Sequence, residues 1–192
     1  RKQAEEAPDA PEELRGKIVE LYRQAAEHLS LSEKQAALLE QHKTAGEGVA
    51  NRVAELRAEL EKLKTQQPNR PPGGSLSELE QQLTATDLQL KELKAAQAKL
   101  ESEPAARATR RKDLRGLLTT APARLEELKK QLPAAAPADE SPLLTTARQS
   151  ENLARKLLIG TNVPLFQAEL ARYDAEEASD LVRLQRDLLA RK

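Results

Sequence analysis

Residues 75–100 read SLSELEQQLTATDLQLKELKAAQAKL. Leu76, Leu79, Leu83, Thr86, Leu90, Leu93, Gln97 and Leu100 alternate steps of three and four, the 3.5-residue repeat of a helix that lays one seam against a neighbour. Ser75 or Ser77 is placed to cap the helix N-terminus, with Glu78 or Glu80 near enough to complete a capping box. The segment is therefore read as a helix over 75–103.

Working outward, Ser102-Glu103-Pro104 ends that helix. Proline disfavours the α region for the residue before it and fits the first turn of a following helix. A third helix is read over 104–132, with Leu114, Leu118, Ala121, Leu125, Leu128 and Leu132 on one face and a kink or break at Pro122. Upstream, the Pro- and Gly-rich stretch 67–75 separates the heptad from a helix over 11–66. Downstream, the stretch 132–142 leads to a helix over 142–191, with a disturbance at Gly160 and Pro164.

The helix over 11–66 carries its own seam: Leu14, Ile18, Leu21, Ala25, His28, Ser32, Gln35, Leu39, His42, Gly46, Val49, Val53, Leu56, Leu60 and Leu63. Its ends are apolar and its middle is polar. Leu29, Leu31 and Leu38 lie just beside the polar stretch, so the buried stripe is expected to drift there, with a kink near Gly46. About 55 helical residues would span roughly 80 Å. The expected fold is all-α: one elongated antiparallel bundle or coiled coil of two long and two shorter helices, occupying 1–192 as a single domain.

Composition agrees. With one Phe, two Tyr and no Trp in 192 residues, Leu and Ala must supply the core, and 32% charged residues fit a long-helix protein. Lys plus Arg and Asp plus Glu both number 31, so no net field draws the chain to nucleic acid, and no nucleic-acid partner is expected. The absence of Cys removes thiolate chemistry, disulfides and Cys-based metal sites. No apolar run approaches the ~20 residues that cross a bilayer. The chain also contains no Met, so Arg1 is read as an internal point of a longer or processed protein, with any targeting segment or anchor outside it.

Candidate chemistry is sparse. His28 and His42 are 14 positions apart, about 21 Å along a straight helix, too far to share a metal ion, and are read as partly exposed seam residues. The carboxylate pairs Glu5-Glu6, Glu12-Glu13, Glu126-Glu127 and Glu176-Glu177 are read as solvated helix faces. Gly46-Glu47-Gly48 and Gly73-Gly74 lack the lysine and spacing of a phosphate-binding loop. No catalytic, cofactor-binding or metal-binding residue is assigned, no cofactor is expected, and the chain is read as no enzyme. Arg107, Arg110, Arg111, Lys112 and Arg115 form one basic stretch. They are read as a face answering acid-rich ends of neighbouring helices, with an anionic lipid or envelope polymer as the competing partner.

The order of these pieces resembles a known family. The carriers are Val53–Leu60 (VAELRAEL), the Pro-rich linker running into Ser75–Leu83, the basic stretch Ala105–Leu114, and the ending Leu181–Ala190 (LVRLQRDLLA). Together they resemble the porin domain near the N-terminus of MscK-type members of the MscS mechanosensitive-channel superfamily, over nearly the whole chain. The resemblance implies a periplasmic module of a multi-pass inner-membrane protein. Its partners would be the transmembrane and pore domains of the same chain, further subunits of a heptamer, and envelope components. It would take part in tension sensing or in subunit and envelope contacts, while ion conduction belongs elsewhere. The alternative from the residues alone is a cytoplasmic spectrin-like or coiled-coil scaffold using its heptads as interface. A nucleic-acid-associated protein would rest on the basic stretch and would bind with steep salt dependence.

Overall fold

The structure, a computed structural model, describes residues 11–66, 74–131 and 141–192. These form five helices and, among the described residues, no strand: α1 (Glu12–Glu47), α2 (Val49–Thr65), α3 (Leu76–Gln131), α4 (Pro142–Ala178) and α5 (Leu181–Leu189). The all-α expectation holds. Most of both linkers, 67–73 and 132–140, lies outside the described residues, as does Glu5-Glu6.

The helix boundaries differ from the expectation in three places. The largest difference is α3, which runs unbroken through Pro104 and Pro122, so the helices read over 75–103 and 104–132 are one. Each proline removes one helix hydrogen bond, a cost of about 3 kcal/mol in an interior, but strong helix formers flank both sites. At Pro104 an ion pair also bridges the gap, because Arg107 donates through Nε and Nη2 to Glu103 Oε1 at 2.9 and 2.6 Å. At Pro122 the buried Ala121 anchors the turn, and the hydroxyls of Thr119 and Thr120 donate to the carbonyls of Arg115 and Leu117.

The second difference divides the helix read over 11–66 at Gly48, two residues past the expected kink at Gly46. The ladder continues across it, with Gly48 N donating to Thr44 O and Arg52 N to Gly48 O, both at 3.0 Å. Gly48 keeps right-handed helical dihedrals (φ −76°, ψ −8°), and a Cβ there would lie a tight 3.2 Å from the Thr44 carbonyl. The third lies in the helix read over 142–191. It passes Gly160 and Pro164 without interruption and ends instead at Ala178, where Asp180 takes a left-handed conformation (φ 56°, ψ 25°) before α5 begins. Asp is one of the few side-chain-bearing residues that tolerate this region.

The chain forms two compact units. The first comprises the described parts of Arg1–Lys43 and Asp113–Leu170. Its core contains Ile18, Leu144 and Ala147, flanked by Leu14, Leu21, Tyr22 and Leu143. Ile18 with Leu144, His28 with Glu151 and Ser32 with Thr161 advance together, so α1 and α4 run parallel. The predicted seam of α1 stays inward through its polar middle and does not drift. Ser32 is buried, whereas Leu29, Leu31 and Leu38 are exposed. A hydrogen bond explains why. Thr161 Oγ1 donates to Leu157 O, so its single proton is committed and Ser32 Oγ donates to Thr161 Oγ1 at 2.8 Å. A paired hydroxyl is buried at little cost.

The second unit comprises Thr44–Lys112 and the segment Ala171–Lys192, again in its described parts. Val49, Val53, Leu56 and Leu60 of α2 close on Leu181 and Leu188 of α5, with Leu63, Ala175 and Leu184 at the margin. Both stripes follow the three-four spacing of helix seams. In this unit α3 meets the end of α4, with Arg107 on Glu176 and Arg111, one turn on, between Asp174 and Glu177.

Candidate functional site

The densest polar cluster among the described residues lies in the second unit, where the basic stretch of α3 meets the last turns of α4. Arg107 and Arg111 stand one helical turn apart on α3, and Arg172, Tyr173, Asp174, Glu176 and Glu177 follow each other along α4. Helical spacing puts Arg172 and Glu176 on one strip and Tyr173 and Glu177 on the next.

Tyr173 is 9% exposed and sits among three guanidinium groups, whose Cζ atoms lie 5.2 Å (Arg107), 6.0 Å (Arg111) and 4.9 Å (Arg172) from its ring centroid. These distances fall within the range of cation–π attraction, about 6 Å. Carboxylates balance the charges. Glu176, 8% exposed, holds Arg107 Nη2 at 2.6 Å through Oε2 and Arg172 Nε at 3.5 Å through Oε1. Arg111 Nη2 reaches Glu177 at 2.8 Å and Asp174 at 3.0 Å. Burial alone would pull the Arg107 pKa down; its bonds to Glu103 and the charge of Glu176 outweigh that and hold it above its ordinary value.

A cleft of about 270 Å³ opens beside the cluster, walled by Pro104, Ala108, Val182, Arg183 and Arg186 along with the charged groups. Its lining mixes both signs of charge. The chemistry of this site is mutual neutralisation: arginines paired with carboxylates and set against an aromatic face.

For Arg107 and Arg111 the structure supports the first reading of the basic stretch. Arg107 and Arg111 do answer an acid-rich helix end, and their charges are matched within the fold. Arg115 is exposed. The reading of Glu176-Glu177 as a solvated pair is corrected, since Glu176 is buried in the cluster while Glu177 stays exposed. Glu12-Glu13 and Glu126-Glu127 lie at the surface as expected. Tyr173 was not singled out by its sequence; the signal available was a scarce aromatic between an arginine and a block of carboxylates.

The histidines lie in the first unit, both half-buried, with His28 Nε2 3.4 Å from Glu151 Oε1. Among the described residues no three His, Cys, Asp or Glu side chains are grouped to hold a metal ion. No described helix is long and apolar enough to cross a membrane. Compared with known proteins, the chain matches the mechanosensitive ion channel porin domain over residues 2–192. No curated protein and no solved structure matches it.

Proposed function

The chain belongs to the mechanosensitive ion channel porin domain family, and from that premise we propose that it is a periplasmic helical module that adjusts the tension response of a channel without itself conducting ions. The observation that carries this reading is the family match across essentially the whole chain. It makes the protein a channel-associated module, part of a larger oligomeric assembly. The finer role draws support from the build of the second unit. Gly48 and Asp180 each precede a helix, and those two helices, α2 and α5, are joined through one apolar cluster. Asp180, left-handed at the root of α5, and Gly48, which lacks a Cβ at the root of α2, are places where two arrangements can differ by little energy. The arginine–carboxylate cluster would hold one arrangement, and breaking it would release the other. The proposed partners are the membrane-embedded pore domains, neighbouring subunits of a heptamer and components of the envelope.

The test is electrical. In membrane patches, the full channel and a version lacking residues 1–192 are compared under graded suction. A changed activation pressure with unchanged unitary conductance is expected. An unchanged pressure threshold, or a changed conductance, would sink the proposal. Compartment is read separately. The chain has no Cys, so Lys34→Cys in the channel gives one label site in this segment, on an exposed position. A membrane-impermeant maleimide should reach it once the outer membrane is permeabilised and the inner membrane is intact. Labelling only after the inner membrane is broken would refute a periplasmic position.

A further inference from the structure

One face of α3 is continuous along the helix, but only part of it is covered. Toward its C-terminus the three-four stripe is used by the fold: Leu100, Arg107 and Arg111 are half-buried, and Leu114, Ala121 and Leu128 are buried. Toward its N-terminus the same stripe meets nothing. Every residue from Leu76 to Glu92 is exposed. Leu76, Leu83 and Leu90 are 74%, 63% and 47% exposed, although they form the most regular leucine repeat in the chain. A lone helical segment of this length is marginal in water, and a leucine seam on it is stabilised only by a facing seam.

The chain's own undescribed segments cannot supply that seam. Residues 1–10, 67–73 and 132–140 contain one leucine between them and no isoleucine, valine or aromatic residue. We propose that residues 76–100 of α3 pair with the same residues of a second copy of the chain, parallel and in register, as a coiled coil. The surface is self-complementary, because matching 3.5-residue repeats are what knobs-into-holes packing requires.

The polar seam positions choose the orientation. With Leu76, Leu83 and Leu90 as one set of seam positions and Leu79, Thr86 and Leu93 as the other, the flanking contacts of a parallel pair are Gln82 with Asp87, Gln89 with Lys94 and Ala96 with Glu101. None sets like charges together. A parallel, in-register pair also sets Thr86 against Thr86 and Gln97 against Gln97, so each polar seam group meets a hydrogen-bonding partner, whereas an antiparallel pair centred on the segment sets Thr86 against Leu90 and Gln97 against Leu79. Size sets the strength. Burying a leucine removes on the order of 100 Å² of apolar surface from water. Six leucines per helix, some already partly covered, therefore bury on the order of 1,000 Å² in all, at the low end for a stable interface. The pair should be weak between free chains and stronger wherever two copies are held side by side, where effective concentrations reach about the millimolar range. This pairing does not depend on the role of the module in tension response.

Because the chain has no Cys, cross-linking reads the geometry directly. Thr86→Cys and Gln97→Cys lie in the seam, and Gln81→Cys faces away from it. At several hundred micromolar chain, mild oxidation should yield covalent dimers from each seam variant and several-fold less from Gln81→Cys. Sedimentation of the unmodified 192-residue chain should show a concentration-dependent dimer that Leu83→Glu with Leu90→Glu abolishes while helical content stays near that of the parent. A chain that remains monomeric at these concentrations overturns the proposal, as does equal cross-linking from Gln81→Cys. Cross-linking at only one seam position overturns the parallel register.

Discussion

Arg107 and Glu176 meet across the second unit with Nη2 and Oε2 2.6 Å apart, their side chains 18% and 10% exposed. A pair this enclosed costs desolvation on both sides, so its worth lies less in net stability than in what happens when one partner is lost. Glu176→Ala strands two arginines, Arg107 and Arg172. Arg107 keeps Glu103 and some solvent, so the expected loss is about 2 kcal/mol, below the 3–5 kcal/mol of a fully buried pair. The double replacement Arg107→Leu with Glu176→Leu should recover most of it. Urea midpoints of the three proteins decide. If Glu176→Ala unfolds at the parent's midpoint, the pair does not hold the helices together.

Two leucines of α3 should behave oppositely. Leu114 is fully buried, and Leu114→Ala is expected to cost about 2–5 kcal/mol through lost burial and a cavity. Leu90 is 47% exposed, and at micromolar concentration, where copies are apart, Leu90→Ala should cost under about 0.5 kcal/mol. Comparable losses at both positions would mean that the Leu90 stripe is covered within the single chain.

Asp180 is the only non-glycine residue with positive φ among the described residues. Its carboxylate lies 3.8 Å from Arg183 with both side chains mostly exposed, a contact worth little. Asp180→Gly removes the steric cost of the left-handed conformation and should leave the thermal midpoint unchanged or raised. Asp180→Val should lower stability by about 1–2 kcal/mol. A neutral valine variant would show that the α4–α5 junction relaxes into continuous helix.

The acid response follows from carboxylates held below their ordinary range. Hydrogen bonds from Arg23 and Gln24 lower Glu20 to about 2, and bonds from Ser75 backbone and hydroxyl lower Glu78. Groups with depressed folded pKa values stabilise fully above the unfolded value, near 4.5, and lose that contribution as pH falls through the folded value. Helical content should therefore hold down to about pH 4.5 and erode toward pH 2. Glu78→Ala should flatten the part of that response arising from the start of α3, as followed by amide exchange at residues 76–80.

The capping box at the start of α3 is one of the arrangements legible in the sequence, and the structure takes Ser75 with Glu78 over Ser77 with Glu80. Ser75 N donates to Glu78 Oε2 at 2.7 Å and Glu78 N donates weakly to Ser75 Oγ at 3.4 Å, an arrangement set by residues three apart. The residues of the α1 and α2 seam were legible as well, because 3.6-residue geometry fixes which side chains share a face, but not that its polar middle stays inward while Leu29, Leu31 and Leu38 are exposed. The continuation through Pro104 was not. A proline's local penalty can be read from sequence, whereas the ion pair and helix-forming flanks that offset it act together over several turns. The candidate site was half legible: the basic stripe with its acidic answer, but not the burial of Glu176 and Tyr173.

The sequence by itself determined that this protein is helical, where its seams lie, and that its cohesion comes from leucine and alanine. Those properties follow from short-range periodicity and composition. Only the tertiary structure decided which seams have partners. The regular leucines of residues 76–90 are left in solvent, while the polar Ser32 and the charged Glu176 are buried. Burial is a property of what stands opposite a face, and a hydroxyl or carboxylate whose hydrogen bonds and charge are satisfied there is accommodated where a leucine with nothing opposite it cannot be.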